Sequence, residues 1–128
     1  MTKVLVVDDS ALMRKLLGRI FSEAADFEVR FARNGVEALR KLESLGTGER
    51  GGVDLVLMDL MMPEMDGLSA MREIRRRPEW QKLPIIALTA KAMRDDHDQC
   101  LAAGANDYIA KPLDVERLLS LVRVWMPK

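Results

Sequence analysis

The chain alternates short apolar runs with longer amphipathic segments, and this alternation repeats five times. The runs are rich in β-branched and aliphatic residues, which favours buried strands, and they lie at residues 4–7, 27–32, 55–58, 85–88 and 108–110. Each run is followed by apolar residues at helical spacing. A strand that returns to its sheet through a helix lies parallel to the preceding strand. The pattern therefore predicts an α/β fold, a doubly wound parallel sheet with helices on both faces.

The five predicted helices begin or end at recognisable residues. Ser10 is a candidate N-cap of the first helix, Asn34-Gly35 opens the second, and Pro78 stops the third, predicted over residues 67–77. The fourth covers residues 91–103 and is closed by Gly104, and the fifth covers residues 113–125. The residues expected on the apolar faces are Leu12, Leu16, Leu17, Ile20, Phe21, Val36, Leu39, Leu42, Leu68, Met71, Ile74, Val115, Leu118, Leu119, Val122 and Trp125.

Size and charge narrow the functional classes. A chain of 128 residues predicts one domain over residues 1–128, and 20 basic against 20 acidic side chains argue against direct binding to nucleic acid. The single cysteine, Cys100, excludes an internal disulfide. The first apolar run is too short for a signal peptide, and no stretch is long enough to span a membrane. These features predict a cytoplasmic protein that does not bind membranes.

Polar side chains with reactive or metal-binding groups follow four of the five strands. Asp8 and Asp9 come after the first strand, Asp59 after the third, Thr89 after the fourth and Lys111 after the fifth. Ligands of doubly wound sheets bind beyond the carboxyl ends of the strands. We therefore expect these five side chains to line one cleft.

Three neighbouring carboxylates repel one another and need cations beside them. Lys111 supplies one, and a hard divalent ion with oxygen ligands is the natural second, which favours Mg²⁺. Acids, a hydroxyl, an amine and a hard cation together suit phosphoryl transfer. Because Asp8 and Asp9 are adjacent and suit metal binding, Asp59 is the better nucleophile.

Four segments make the chain resemble the receiver domains of response regulators over its whole length. They are VLVVDD at 4–9, DLMMPEMDG at 59–67, LTA at 88–90 and GANDYIAKP at 104–112. The family includes the chemotaxis response regulators. Residues 87–93 and 100–104 are in addition similar to receivers of hybrid histidine kinases. The resemblance implies a flavodoxin-like three-layer sandwich with strand order 2-1-3-4-5.

The resemblance also implies a role for each residue of the cleft. Asp59 would be the phosphoacceptor, and Mg²⁺, replaceable by Mn²⁺, would bind Asp9, Asp59 and the backbone carbonyl of Met61 directly and Asp8 through water. Thr89 and Lys111 would hold phosphoryl oxygens.

Two further features would belong to the switch of such a domain. Tyr108 would be an aromatic switch residue, and the Lys111-Pro112 bond would be cis. The donor would be a histidine on a histidine kinase or a phosphotransfer protein. Phosphorylation would change the face of helix 4, strand 5 and helix 5 for a downstream protein, in a monomer or a phosphorylation-dependent dimer. Such a domain is a switch and not an enzyme, because its only chemistry is its own phosphorylation and dephosphorylation.

Two departures concern variable positions of the family. Met61 and Lys91 stand two residues beyond Asp59 and Thr89. Met61 has no side-chain donor to orient an attacking water, whereas Lys91 could reach the phosphoryl group or face solvent. In-line attack needs an oriented water. We therefore expect slow self-dephosphorylation, which Met61→Asn should accelerate.

The same residues allow other interpretations. Asp8 and Asp9 alone could cap the first helix, and Arg75-Arg76-Arg77 is interpreted as a solvated helix end. A phosphohydrolase would need an Asp-x-Asp pair at one strand end. A dinucleotide-binding module would need a glycine-rich turn after the first strand. A receiver-like binding protein without phosphate chemistry would usually have lost Asp59 or Lys111.

Overall fold

A computed structural model describes residues 2–46, 52–60, 67–89 and 94–126 of the chain. The strands are Thr2–Val7 (β1), Phe27–Ala32 (β2), Leu55–Asp59 (β3), Ile85–Thr89 (β4) and Asp107–Ala110 (β5). The helices are Ala11–Glu23 (α1), Gly35–Leu45 (α2), Gly67–Arg76 (α3), Arg94–Ala103 (α4) and Val115–Trp125 (α5), and a short 3-10 helix spans Pro78–Trp80. Within the described ranges, no helix has the length and apolarity needed to cross a bilayer.

The five strands form one parallel sheet in the order β2-β1-β3-β4-β5, which confirms the predicted topology. The order reverses between β1 and β3, where ligands of doubly wound sheets bind. The register brings the last residues of the strands to within one residue of the same level, because Asp59 lies opposite Leu88, the residue before Thr89, and Thr89 lies opposite Ala110. The sheet therefore brings the carboxyl ends of its central strands to one edge.

Alternating residues of the strands enter two separate cores. Leu5, Val7 and Met58 contribute to one core, which α2, α3 and α4 cover. Val6 and Leu57 contribute to the other, which α1 and α5 cover. Successive strand side chains point to opposite faces, so both faces of the sheet are dry, and the near-continuous apolar runs in the sequence follow from this.

Four residues that the helical pattern places on the apolar faces are exposed instead. The exposed fractions are 80% for Leu12, 45% for Leu16, 37% for Val36 and 45% for Val115. A helix on a sheet buries only the stripe that touches the sheet, and in α2 the small residues Gly35 and Ala38 take that position. The apolar pattern is thus wider than the buried face.

The helix ends differ slightly from the predicted ones. α5 begins at Val115, because the Asp114 carboxylate caps it by accepting a hydrogen bond from the Arg117 amide at 3.2 Å. α3 ends at Arg76, one residue earlier than predicted. The predicted first turn of the fourth helix, residues 91–93, lies outside the described residues.

Candidate functional site

The predicted site residues meet at the carboxyl edge of the sheet. Asp8 follows β1 and is fully buried, whereas Asp9 is exposed. Asp59 and Thr89 are the buried last residues of β3 and β4. Lys111 follows β5, and its backbone N–H donates to the Thr89 carbonyl at 2.7 Å. All five residues lie at neighbouring strand ends, as the sequence predicts.

The three aspartates form an acidic cluster. One carboxylate oxygen from each of Asp8, Asp9 and Asp59 lies within 4.8 Å of the others. Lys111 Nζ is 3.3 Å from Asp59 Oδ1 and 3.8 Å from Asp8 Oδ2. Three carboxylates and one ammonium leave a formal excess of two negative charges. A divalent cation would neutralise this excess.

Asp8 carries the clearest electrostatic signature of the cluster. Its Oδ1 accepts a hydrogen bond from the Ser10 N–H at 2.9 Å, whereas Oδ2 is buried without any hydrogen bond. Burial raises the pKa of Asp8, and the Asp59 charge raises it further, although the Ser10 N–H and Lys111 act in the opposite direction. A buried carboxylate oxygen with no donor, inside a set of oxygen ligands, fits a hard cation or its bound water. The residues present therefore fit Mg²⁺; the predicted Met61 carbonyl ligand lies outside the described residues.

The turn between β1 and α1 holds the two adjacent aspartates. Ser10 caps α1 as predicted, since its Oγ accepts from the Met13 N–H at 3.2 Å. Arg14 Nη1 donates to the backbone carbonyl of Asp8 at 2.8 Å. Arg14 is half-buried, but sequence reasoning did not single it out, because a basic residue in an amphipathic helix gives no signal of its own.

Gly67 brings the start of α3 against the end of β3. Its N–H donates to the Leu60 carbonyl at 3.3 Å. A Cβ at this position would lie 2.8 Å from the Leu60 Cα and would clash with the Asp59 carbonyl oxygen. Only glycine allows this approach, and the helix start therefore packs directly beside the candidate phosphoacceptor.

Tyr108 lies on β5, opposite Ala87 of β4, and is half-buried. The neighbouring Asp107 side chain is fixed by two hydrogen bonds, from the Tyr108 N–H at 2.9 Å and from Trp125 Nε1 at 3.1 Å. The switch role of Tyr108 stays a prediction. The Lys111-Pro112 bond is cis, in agreement with the resemblance.

The prediction that Arg75 belongs to a solvated helix end is wrong. Arg75 is half-buried, and its guanidinium donates to the carbonyls of Gly104 and Trp80 and to Asn106 Oδ1 at 2.8–2.9 Å. Burial lowers the pKa of Arg75. The Gly104 carbonyl lies just past the end of α4, where carbonyls lack helical partners and need a donor. The sequence gives no signal that Arg75, rather than another member of the basic triplet, supplies this donor. Arg76 is exposed, as predicted.

The comparison with protein families decides the class of this protein. The model of the response regulator receiver domain matches residues 4–123. The chain belongs to this family. The prediction of a receiver domain of two-component signalling, with the corresponding flavodoxin-like fold, is therefore confirmed.

Relatives of this receiver domain occur in proteins of very different length. This chain is 36% identical over 124 residues to the signal transduction histidine-protein kinase BarA of Escherichia coli (strain K12). The match covers 97% of this chain but 13% of BarA. The chain is 35% identical over 123 residues to the polar-differentiation response regulator DivK of Brucella anthropi, covering 96% of this chain and 94% of DivK. The chain thus spans about an eighth of the kinase and nearly all of the stand-alone regulator.

A solved structure agrees with the fold of the receiver domain. The receiver domain of a sensor histidine kinase from Pseudomonas aeruginosa PAO1 superposes with a TM-score of 0.83 at 35% identity, covering 97% of this chain and 96% of that one. That structure contains a magnesium ion coordinated in its active-site cleft.

Proposed function

We propose that Asp59 accepts a phosphoryl group from a phosphohistidine on a histidine kinase or a histidine phosphotransfer protein. The observation that carries this proposal is the 3.3 Å contact between Lys111 Nζ and Asp59 Oδ1 inside the acidic cluster. Asp59 is 3% exposed, and it is the aspartate of the cluster that is separated from the adjacent pair. A carboxylate held beside an ammonium is oriented for attack and balanced in charge.

The transfer is a displacement at phosphorus. A carboxylate oxygen of Asp59 forms the new P–O bond while the P–N bond to the donor imidazole breaks. The imidazole nitrogen keeps the electron pair of that bond and takes up a proton. Lys111 neutralises charge on the transferred group, and the Thr89 hydroxyl donates a hydrogen bond to it. The product is an aspartyl phosphate.

The same cluster would hold Mg²⁺, with Mn²⁺ as a substitute. Asp9, Asp59 and the Met61 carbonyl would be direct ligands, and Asp8 would act through a bound water. The metal would supply positive charge for the phosphoryl oxygens. The buried Asp8 Oδ2, which no group hydrogen-bonds, supports this arrangement, as does the magnesium in the Pseudomonas receiver.

The output would be a change of shape on the face formed by α4, β5 and α5. A phosphoryl group adds charge and acceptor oxygens beside Thr89, and a shift of Thr89 would let the Tyr108 ring turn inward. A complete shift needs about 5.5 kcal/mol of differential binding, so we expect a partial one. A beryllofluoride mimic with Mg²⁺ should move the NMR signals of α4 and β5; unchanged signals would exclude this switch.

The remaining properties follow from this proposal. The protein would act as a switch in the cytoplasm without turning over an external substrate. Its partners would be the phosphohistidine donor and a downstream protein, and it would be a monomer or a phosphorylation-dependent dimer. Residues 1–128 would form the receiver as a single domain.

The proposal is tested by incubation with acetyl phosphate and Mg²⁺, followed by intact-mass measurement. The wild type should gain one phosphoryl group, and Asp59→Asn should gain none. Asp98→Asn makes the same chemical change on the exposed part of α4 and should behave as the wild type. No mass gain in the wild type, or an equal gain in Asp59→Asn, would refute the assignment of Asp59.

A further inference from the structure

Arg14 contacts the backbone at the point where the two adjacent aspartates are joined. It is the fourth residue of α1, and its Nη1 donates to the Asp8 carbonyl oxygen at 2.8 Å. That carbonyl lies just beyond the last paired residue of β1, since Val7 is the final residue in register with both β2 and β3. The guanidinium therefore holds a peptide group that the sheet no longer fixes.

The peptide that Arg14 holds is the one that leads into Asp9. Its carbonyl oxygen belongs to Asp8 and its nitrogen to Asp9, so the plane of this peptide sets the direction of the Asp9 side chain. Asp8 has its own support, because its Oδ1 accepts from the Ser10 N–H. Among the groups in the described ranges, none donates a hydrogen bond to the exposed Asp9 carboxylate. The aim of Asp9 toward Asp8 and Asp59 thus depends on its backbone.

We propose that Arg14 is a positioning residue for the metal site: it fixes the Asp8-Asp9 peptide so that the Asp9 carboxylate faces the other two acids. This inference rests on the proposed function, because it takes the acidic cluster as a site for Mg²⁺. Groups behind the ligands of a metal site orient the ligands, and their loss commonly weakens metal binding tenfold or more.

The sign of the effect separates positioning from simple electrostatics. Arg14 is a cation near a cation site, so Coulomb's law alone predicts that its removal strengthens metal binding. Positioning predicts the opposite, because an unfixed Asp9 must be ordered when the metal binds.

The test is a Mn²⁺ titration followed by electron paramagnetic resonance, with Mg²⁺ as competitor and no phosphoryl donor. Arg14→Met should weaken Mn²⁺ binding about tenfold. Lys15→Met removes the same charge from the next, exposed residue of α1 and should bind Mn²⁺ as tightly as the wild type or more tightly. Arg14→Lys keeps the positive charge and a charged donor group. It should bind Mn²⁺ more tightly than Arg14→Met, whereas Coulomb's law alone predicts weaker binding because of the added positive charge.

Each result decides the inference. Wild-type or tighter binding in Arg14→Met would overturn it, as would equal weakening in Lys15→Met or weaker binding in Arg14→Lys than in Arg14→Met. Urea midpoints of the variants show whether they are folded under the titration conditions. If the wild type itself took up no Mn²⁺ or Mg²⁺, the metal site of the proposed function would fail together with this inference; metal binding unaffected by Arg14 would leave the proposed function intact.

Discussion

Replacing Arg75 with methionine removes a side chain that joins three parts of the chain at the amino edge of the sheet. The guanidinium donates to the Gly104 carbonyl after α4, to the Trp80 carbonyl in the 3-10 helix and to Asn106 Oδ1 before β5. Asn106 Oδ1 also accepts from the Ile85 N–H at 2.9 Å, which extends the connection to the start of β4. Methionine keeps much of the aliphatic stem but no donor.

These contacts set the size of the expected loss in the free energy of unfolding. A hydrogen bond from a charged donor contributes about 1.5–3 kcal/mol. After the substitution the Gly104 carbonyl loses the Arg75 donor, whereas the Trp80 carbonyl keeps the Leu83 N–H at 3.3 Å and Asn106 Oδ1 keeps the Ile85 N–H. Because Arg75 is half-exposed, water can replace part of each bond. We therefore expect Arg75→Met to lower the free energy of unfolding by about 2–3 kcal/mol.

Urea denaturation measures this loss, and amide hydrogen exchange locates it at residues 104–106. Arg76→Met is the matched control, because Arg76 is the next residue, is exposed and forms an ion pair with Glu73 at 3.1 Å. Exposed pairs contribute about 0.2–1 kcal/mol at most. Equal losses in the two variants, or a loss below about 0.5 kcal/mol in Arg75→Met, would refute the reasoning from these hydrogen bonds.

Three other predictions concern the site and its support. The pKa of Asp8 is raised in the folded protein, so the folded protein binds this proton more tightly than the unfolded chain does. The free energy of unfolding of the metal-free protein should therefore fall as the pH rises from about 3.9, the ordinary pKa of an aspartate, through the raised pKa of Asp8. Asp8→Asn should accordingly stabilise the metal-free protein at pH 7 in urea denaturation, and a loss would contradict this. Mg²⁺ at about a hundred times its Kd should add about 2.7 kcal/mol to the free energy of unfolding. A chelator should remove this gain. An unchanged urea midpoint in the presence of Mg²⁺ would argue against the metal site. Gly67→Ala should lower the free energy of unfolding by about 1–3 kcal/mol, because the added methyl forces α3 away from β3. The loss should exceed that of Gly18→Ala, where the nearest atoms to the added methyl belong to the movable Phe31 ring. Equal urea midpoints for the two variants would exclude this cause.

The sequence predicts the sheet and the cleft well because both depend on local patterns. Each strand is a run of apolar residues, and each chemical group of the cleft stands at the end of such a run. The parallel topology then brings Asp8, Asp59 and Lys111 together. Only the covalent order of the chain and the handedness of crossover connections are needed for that result.

What the sequence does not predict depends on contacts between distant segments. Arg75 belongs to a basic triplet that looks uniform, and only the folded chain brings the Gly104 carbonyl within 2.9 Å of one member. Leu12 and Leu16 fit the apolar period of α1 but lie beyond the stripe that the sheet covers. In both cases the residue type is compatible with two environments, and the distance to a partner element decides between them.

The two tryptophans of the chain occupy environments with different optical consequences. Trp80 is 3% exposed beneath the Arg77 guanidinium, 4.6 Å from its ring, in a packed region away from the acidic cluster. Trp125 is hydrogen-bonded to Asp107, which precedes Tyr108. Its indole therefore senses the polarity of the β5–α5 surface. A Trp80→Phe protein would carry Trp125 as its single tryptophan, so the proposed change of that surface should be measurable from tryptophan emission without an attached dye.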